Sequence, residues 1–589
     1  MGGFFIYNRH ADITEQTVAD VFAARGLSRR FTINAGDARV IYFPKMRDRE
    51  PIRAESSGFT ALAAGVFSYR GMDRCTGLRR FLDDTLHGGF DPKEVSGAFY
   101  VLIAGSDGVR IWCDSGGSYH AFVRMDGHVI SSSYLAVLHS MNGDQKLNRT
   151  AVLLNLVLGF WPGEMTLSSQ IRRVTPDTIR TLRFSFPLIA DRFSKPETAA
   201  ICGGAKTLAS HAEMQNTVLT DHIRRYCAMS PGGVYLGISG GYDSRLLALV
   251  LLRNAMEVHG FTHWKPGPGT DQAVAEELSR YLKIPLTVIE TDRSDPRGGF
   301  DLQQVMKQAY HLFDGRTHHA MEYLKYEYTP EYRHRIQRES YPVFSGTGGE
   351  IYRNHNYMPR KGRVNLTDWI WYYCADYLSH SSIRCRETRR EILETMRDWI
   401  VTVLKLNDSN TIHFKDMRRY YTDIWLRDWF GLRHSVENQV SVYIAPFTDP
   451  QVTAQAHLSA EWIGWDGDLE AMMIQKLDPD AADIRSSYGY SLSRLPIRQR
   501  VRSAIRGSVP PGLKLAAGYI RQAYRSTNPL LNQPDVTADP VLSDAMETLM
   551  DLNLPIDLDM LARSREKKVL ILSLGYAIRK QVEESTLCC

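Results

Sequence analysis

The residues best suited to chemistry lie in one short stretch, Ser-Gly-Gly-Tyr-Asp-Ser at 239–244. An apolar, β-rich run at 234–238 precedes it and an aliphatic segment at 246–252 follows it, so the pattern predicts strand, tight turn and helix. Glycines let backbone N–H groups of such a turn converge on an oxyanion, and the start of the helix attracts phosphate. The stretch therefore indicates an anion-binding turn, with an ordinary strand-to-helix turn as the alternative.

Two acids extend this prediction from an anion to a metal–nucleotide. Asp243 falls in the first helical turn, where a carboxylate can hold the Mg²⁺ that accompanies a nucleoside triphosphate. A second glycine-bearing loop, Ser-Gly-Thr-Gly-Gly-Glu at 345–350, follows another predicted strand at 341–345. Ligands of parallel sheets sit beyond the carboxyl ends of the strands, so Asp243 and Glu350 are predicted to hold one Mg–nucleotide between them. The Walker spacing GxxxxGK[ST] is absent, which disfavours the P-loop ATPases.

The predicted secondary structure around these loops differs from one part of the chain to the next. Residues 1–195 alternate short strands and turns and predict a layered β-rich domain, and 196–210 loses periodicity and reads as a linker. From 211 onward, apolar runs alternate with amphipathic helices, which predicts a parallel sheet. Beyond about 365 the pattern is mostly helical and is typical of a wall packed on that sheet. Predicted strands occupy 4–7, 40–43, 61–69, 98–104, 109–113, 120–124, 128–132, 257–262 and 286–290, and a predicted helix occupies 271–282.

The length, composition and net charge limit the number of domains and the partners that this protein can have. A chain of 589 residues needs two or three domains, and 43% hydrophobic with 23% charged residues is ordinary for a globular protein. The net charge of +5 is too slight to indicate nucleic acid as a partner. Eight scattered cysteines without a CxxC pair favour reduced thiols in a cytoplasm. We expect a cytoplasmic protein without a transmembrane segment, and a homodimer is one option for its assembly.

Four landmarks together resemble the asparagine synthetase family. SGGYDS (239–244) is similar to the pyrophosphate-binding loop (PP-loop) of the N-type ATP pyrophosphatases, and SGTGGE (345–350) to the family's S-G-x-G-[AGS]-[DE] loop. Residues 443–449, Tyr-Ile-Ala-Pro-Phe-Thr-Asp, resemble its R-x-P-F-L-D segment. The segment from Val95 to Asp114 resembles its L-x-G-x-F to R-D hairpin. The landmarks occur in the family's order and span nearly the whole chain.

The resemblance implies a fold and a reaction. The fold is an N-terminal Ntn-type αββα glutaminase-like domain (1–195) followed by a parallel-sheet PP-loop synthetase domain with a helical extension (211–589). The reaction is an ATP- and Mg²⁺-dependent adenylation of a small-molecule or peptide carboxylate, followed by attack of ammonia or a substrate amine. Asp243 and Glu350 would ligate Mg²⁺. Contacts to ATP and pyrophosphate would come from Gly237, Ser239, Gly240, Gly241, Asp243, Ser244, Thr262, His263, Ser345 and Gly346.

The sequence departs from the family at its glutaminase centre. The family's nucleophile is a cysteine at position 2, whose own α-amino group serves as base. This chain has Gly2, and Ala64-Gly65 stands where the family has an oxyanion-supporting Asn-Gly. The first domain is therefore not expected to hydrolyse glutamine. The same loss occurs in the β-lactam synthetases and lasso-peptide cyclases, to which the resemblance is general.

A second departure concerns the synthetase half. The family has Glu or Tyr between the glycines of the second loop, and this chain has Thr347. The family also has a lysine in an R-x-K-x-G segment, and aligning that segment on Gly489 places serine there. Lys476 and Arg485 are the candidate replacements, because charge that develops on pyrophosphate needs a basic group. Thr347, Lys476 and Arg485 are accordingly the candidate catalytic residues.

Two further segments admit several interpretations. Residues 314–322 gather polar groups at a turn, so Arg316 and His318 are candidates for a substrate pocket, with helix capping or a metal pair as alternatives. Residues 494–525 carry eight basic and no acidic residues, and Leu495, Val501 and Ile505 fall on one face. A solvated helix face, an anionic substrate and an acidic membrane surface all fit this second segment.

The sequence leaves three functions open. The first is the C–N ligase without glutaminase activity described above. The second is a glutamine-hydrolysing asparagine synthetase as such, against which Gly2 argues. The third is a non-catalytic ATP-binding or scaffold relative, which the missing cysteine and lysine favour and the intact SGGYDS loop disfavours.

Overall fold

The computed structural model describes most of the chain. It covers residues 2–48, 52–141, 145–193, 206–229, 232–265, 267–289, 302–316, 341–354, 358–360, 362–375, 377–517, 540–562 and 564–586. Within these ranges, no helix combines the length and the apolar character that crossing a bilayer requires. The predicted linker at 196–210 lies mostly outside them.

Two sheets organise the N-terminal part. The antiparallel sheet has the strand order Ile171–Arg173, Phe122–Arg124, Val129–Ser131, Gly3–Asn8, Ala38–Phe43 and Phe31–Ala35. The second has the order Leu188–Arg192, Gly108–Cys113, Phe99–Gly105, Phe59–Gly65 and Arg53–Ser56, with its first pair parallel. A two-stranded ribbon, Ser68–Tyr69 with Val95–Ser96, extends from the strands Phe59–Gly65 and Phe99–Gly105 of the second sheet.

Helices cover the outer faces of both sheets, because side chains along each strand alternate between its two faces. Phe4 and Ile6 of the strand Gly3–Asn8 enter the core between the two sheets, whereas Phe5 and Tyr7 point to the opposite face. The helices Glu15–Ala24 and Tyr134–His139 cover that opposite face, and Arg74–His87 covers the outer face of the second sheet. The layers therefore run helix, sheet, sheet, helix.

The second part is built on a five-stranded parallel sheet. Its strand order is Leu286–Ile289, Val258–His263, Val234–Gly237, Val343–Phe344 and Tyr443–Ile444. The helix Tyr242–Arg253 is apolar on nearly every side, and its run of buried leucines places it in the core beside the sheet. Each fully buried leucine contributes roughly 1.5–3 kcal/mol of hydrophobic free energy. Asp271–Leu282 follows the strand Val258–His263, which gives the strand–helix alternation of a parallel sheet.

Helices dominate the rest of the chain but do not form one wall. The longest are Leu208–Cys227, Arg386–Leu404, Phe430–Val440, Asp468–Leu477, Ile497–Ser508, Pro540–Asp551 and Arg565–Thr586. Three of them, Leu208–Cys227, Arg386–Leu404 and Asp468–Leu477, share a core with the parallel sheet. Leu432 and Val436 of Phe430–Val440 belong to a smaller cluster with Ala309, Phe313 and Val569. Pro540–Asp551 and Arg565–Thr586 share a core with Phe5 and Phe22 of the N-terminal part instead. The wall predicted on the parallel sheet therefore does not include the last two long helices, which pack on the N-terminal part.

The coarse fold prediction is confirmed: the chain is a mixed α/β protein with several sheets, one of them parallel. Assignment of its two parts to the Ntn-type and PP-loop classes, and the boundaries at 195 and 211, stay predictions. The predicted helix at 271–282 is observed at those bounds, and the strand predicted at 341–345 shortens to Val343–Phe344. Besides its strands, the N-terminal part contains the helices Glu15–Ala24, Arg74–His87 and Arg149–Leu158.

Candidate functional site

The SGGYDS segment forms the turn between a buried strand and a buried helix. Ser239 N–H donates to Ser244 Oγ at 3.0 Å, and the two hydroxyl oxygens lie 3.0 Å apart, which holds the turn closed. Gly241 precedes the helix Tyr242–Arg253 and supplies no side-chain cap. The first N–H groups of a helix lack intrahelical acceptors, so this end favours an anion.

The second loop reaches the first because their strands are neighbours in register. Leu236 pairs with Phe344, so the chain leaves the sheet side by side at Gly237 and Ser345. A Cβ atom on Gly349 would stand 2.0 Å from Asp243 Oδ1, and one on Gly346 would stand 3.0 Å from Asp243 Cβ. Glycine is therefore required at position 349 if Asp243 is to stay where it is, whereas a methyl group at position 346 would need a shift of a few tenths of an ångström.

Arg353 is the centre of the charged cluster at this contact. Its Nη2 lies 2.8 and 2.7 Å from the two carboxylate oxygens of Asp243 and 3.5 Å from Glu350 Oε1, and its Nε lies 3.0 Å from Glu470 Oε2. Its guanidinium also lies over the ring of Tyr242, 5.4 Å from the centroid. One cation thus serves three carboxylates.

Burial makes this cluster electrostatically unusual. It raises the pKa of Asp243, and the negative charge of Glu350 adds to the rise while the guanidinium opposes it. Burial also raises the pKa of Glu470 well above its usual range, with a further contribution from Asp243. Burial alone would lower the pKa of Arg353, but the three acids together raise it well above its usual range. The cluster therefore favours added positive charge.

Other side chains fix the acids in place. Tyr421 donates from its hydroxyl to Glu350 Oε2 at 2.8 Å, and Arg418 donates to the carbonyls of Ile351 and Arg353. A small cavity of about 10 Å³ lies beside them, lined by Glu350, Ile351, Arg353, Asn354, Met358, Arg418, Tyr421 and Thr422. This volume holds about one water molecule, so a nucleotide does not fit into the cavity with these side chains in place.

A third segment, 485–489, closes over the first loop. Ser487 N–H donates to the carbonyl of Gly240 at 3.0 Å, and a Cβ atom on Gly240 would stand 2.6 Å from Ser487 Cβ. Arg245, in the helix after the first loop, anchors this segment by donating to the carbonyls of Ala481 and Ile484 at 2.8 and 2.7 Å. The serine that aligns with the family lysine is thus placed against the turn.

The structure brings most of the predicted site residues to one edge of the sheet. Gly237 and Thr262 lie at the ends of adjacent strands, and His263 is exposed there. Ser345 Oγ and Thr347 Oγ1 lie 2.8 Å apart, and the latter lies 3.4 Å from the Tyr443 hydroxyl. The other predicted residues at this edge are Ser239, Gly240, Gly241, Asp243, Ser244, Gly346 and Glu350.

Four predicted residues have other surroundings. Lys476 is exposed and pairs with Glu213 at 2.7 Å, near the end of the helix whose beginning carries Glu470. Arg485 is exposed and donates from Nε to the carbonyl of Gly489 at 3.0 Å. Arg316 is buried against the N-terminal part, with Nη1 at 2.5 Å from His120 Nδ1. His318 lies outside the described residues.

The structure adds residues that sequence reasoning did not select. Arg353 stands three positions after Glu350, so a basic residue close to the second loop was a usable signal. Glu470 had no comparable signal, because it lies in an ordinary amphipathic helix far along the chain. A metal-binding group of three or more His, Cys, Asp or Glu side chains is not found in the described ranges, since the acids surround Arg353 instead.

Position 2 has no room for a side chain. A Cβ atom on Gly2 would stand 2.2 Å from the carbonyl oxygen of Phe43 and 2.8 Å from the backbone of Pro44. Contacts under about 3 Å with backbone cannot be relieved by a side-chain rotation. The backbone here thus excludes the cysteine that the family's glutaminase requires.

Comparison with known proteins identifies no family. No protein-family model matches the chain, and no curated protein matches it. Among solved structures, it is similar to NMN synthetase from Francisella tularensis, with 18% identity and a TM-score of 0.15. That similarity covers 25% of this chain and 58% of that one, so this chain spans less than two thirds of that protein. The function is therefore argued from this chain's own residues.

Proposed function

We propose that this chain is an ATP-dependent, AMP-forming C–N ligase of the asparagine synthetase type without glutaminase activity. It would activate a carboxylate and transfer the acyl group to ammonia or a substrate amine. The observation that carries the proposal is the meeting of two glycine-bearing loops at adjacent strand ends, where Asp243 and Glu350 share one guanidinium. A strand-to-helix turn of purely structural use would not need Gly346 and Gly349 packed against a carboxylate.

The chemistry assigns each part a task. A carboxylate oxygen of the substrate attacks the α-phosphorus of ATP, the bond from that phosphorus to the bridging oxygen breaks, and pyrophosphate leaves. An amine then attacks the acyl carbon, loses a proton and displaces AMP. N–H groups at the start of the helix after the first loop would hold the pyrophosphate oxygens. The N–H groups of Ser239 and Gly240, which donate to Ser244 Oγ and Asp271 Oδ1 in this structure, would have to exchange these acceptors for pyrophosphate. Ser239 and Ser244 would donate further hydrogen bonds there.

The acids fit the metal that accompanies ATP. Carboxylate oxygens are the ligands that Mg²⁺ prefers, and the excess of acids over bases around Arg353 supplies the negative charge. Mg²⁺ would neutralise phosphate charge when bound, with Asp243 and Glu350 as its protein ligands. Arg353, beside these acids, would supply the positive charge for which Lys476 and Arg485 were candidates.

Exchange of labelled pyrophosphate into ATP tests the first half-reaction. The wild-type protein, Mg²⁺ and a panel of amino acids, peptides and uronic acids should give exchange with one class of carboxylate. Asp243→Asn should abolish the exchange. Asp221→Asn should not change it, because Asp221 is exposed and pairs with Arg224 of its own helix, away from the site. Exchange that survives Asp243→Asn would remove the site assignment. Glutamate release from glutamine would restore the glutaminase alternative.

A second candidate is a nucleotide-binding protein without turnover. The specific observation in its favour is that Arg353 already fills the space among the three carboxylates, as a permanent substitute for a metal would. Tight ATP binding that is independent of Mg²⁺, together with no exchange on any carboxylate, would support this candidate over the ligase.

A further inference from the structure

The helix Ile497–Ser508 buries its small residues and exposes its aliphatic residues, which is the reverse of the usual orientation in a globular protein. Its buried positions are the small residues Ser503 and Gly507, which lie against Trp465 and Asp466. Its aliphatic residues point outward: Ile497, Val501 and Ile505 are 81%, 53% and 62% exposed. Amphipathic helices normally bury the aliphatic face, so this orientation leaves an apolar surface unexplained by the fold.

The exposed residues form a continuous stripe. Ile497, Val501 and Ile505 are spaced four apart, so they follow one another along one face. Since a helix turns about 100° per residue, Ser503 and Gly507 lie on nearly the opposite face. Leu513, just beyond the helix, is also 63% exposed. The buried small face fixes the rotation of the helix, and that rotation holds the stripe outward.

Arginines border the stripe. Arg498 and Arg502 follow Ile497 and Val501 by one position each and are exposed on one side of the stripe. Arg500 lies on the other side, where it pairs with Asp468 at 3.6 Å. The segment 494–517 has six basic residues and no acidic residue. Long basic side chains can extend past a buried apolar stripe to reach anionic groups. An apolar stripe between basic flanks is the pattern of helices that lie in a membrane interface.

We propose that Ile497–Ser508 is a docking helix for an anionic lipid bilayer surface. It lies parallel to that surface, with Ile497, Val501 and Ile505 below the headgroups and Arg498 and Arg502 among the phosphates. Aliphatic rather than aromatic residues form the stripe, which favours lipid chains over stacked nucleic-acid bases. The positive charge of Arg498 and Arg502 beside the stripe favours an anionic leaflet over a second copy of the same basic face, which would repel it.

Co-sedimentation with vesicles tests the proposal. Full-length protein is mixed with vesicles of phosphatidylcholine alone or with one-third phosphatidylglycerol, at low and high salt. We expect binding to the phosphatidylglycerol vesicles that weakens with salt. Val501→Gln with Ile505→Gln should reduce it at least tenfold, and Arg498→Gln with Arg502→Gln should reduce it similarly. These exposed positions can be changed without disturbing the buried contacts of Ser503 with Asp466 and of Gly507 with Trp465.

Matched controls test whether vesicle binding depends on this stripe or on any exposed aliphatic residue or arginine. Ile189→Gln changes an aliphatic residue that is also exposed, and Arg386→Gln with Arg390→Gln removes two arginines from another helix. Both should bind vesicles like the wild type. No vesicle binding by the wild type, or equal binding by the stripe variant, would overturn the proposal. So would a self-association that Val501→Gln with Ile505→Gln abolishes in the absence of any lipid binding, because a second copy would then cover the face.

Discussion

Replacing Arg353 by methionine isolates the charged cluster on which the site depends. Methionine keeps much of the buried stem and removes the cation that Asp243, Glu350 and Glu470 share. Removing one partner of a buried ion pair costs about 3–5 kcal/mol, because the remaining charge stays buried. Here the acids can escape that cost by binding protons, so the loss depends on pH.

The sign of that dependence follows from the raised pKa values of Asp243 and Glu470. A carboxyl group whose pKa is higher in the folded state stabilises the fold at low pH and loses that contribution as pH rises through the folded value. Without the guanidinium both values rise further, so the variant loses more than the wild type on alkalinisation. We expect a destabilisation of about 3 kcal/mol at about pH 8 and clearly less at about pH 5.

Thermal unfolding followed by fluorescence measures the destabilisation of Arg353→Met at the two pH values. A loss of about 3 kcal/mol lowers the Tm by roughly 6 °C in a domain of this size class. Millimolar Mg²⁺ should recover part of the loss in Arg353→Met, since the acids then have another cation to bind. Arg390→Met, which removes an exposed arginine of a surface ion pair, should shift the Tm by less than about 2 °C. An Arg353→Met variant as stable as the wild type, or equally destabilised at both pH values, would refute the reasoning.

Three further outcomes are expected. Gly349→Ala should abolish the first half-reaction while leaving circular dichroism unchanged, because its methyl group occupies the place of Asp243 Oδ1; retained exchange would contradict this. Gly2→Cys should lower the Tm and release no glutamate from glutamine, since the added side chain meets the Phe43 carbonyl; glutaminase activity in that variant would contradict it. Burial raises the pKa of Asp114 to about 7, so the wild-type Tm should fall from about pH 4 to about pH 7, where the unfolded chain has lost this proton and the folded chain still holds it. Asp114→Asn should flatten this fall, and an unchanged profile would exclude Asp114 as its cause.

Local patterns predicted the elements well where side chains alternate across a sheet. Strands such as Phe99–Gly105 and Gly108–Cys113 are short apolar runs bounded by turn residues, so their positions were readable within one or two residues. The edge strand Leu188–Arg192 was missed, because its residues are only partly buried and carry little apolar signal. An amphipathic helix shows that one face is buried but not against what, which explains why the docking of Arg565–Thr586 on the N-terminal part was not predicted.

In the candidate site, too, the sequence predicted the local features and missed those that depend on packing. Backbone-driven features, the two glycine loops and their acids, carry a local signature, and their meeting followed from the rule that parallel strands end at one edge. Glu470 enters by helix packing between distant parts of the chain, which no local pattern encodes. The basic residue was sought at Lys476 and Arg485 by alignment, whereas the structure places Arg353 among the acids and pairs Lys476 with Glu213.

Calorimetric titration with a non-hydrolysable ATP analogue tests the central claim most directly, because it needs no knowledge of the carboxylate. The account predicts one nucleotide bound per chain in the presence of Mg²⁺, and at least tenfold weaker binding to a folded Gly349→Ala variant. A wild-type protein that binds no nucleotide, or a variant that binds it equally well, would contradict the assignment of these loops to ATP.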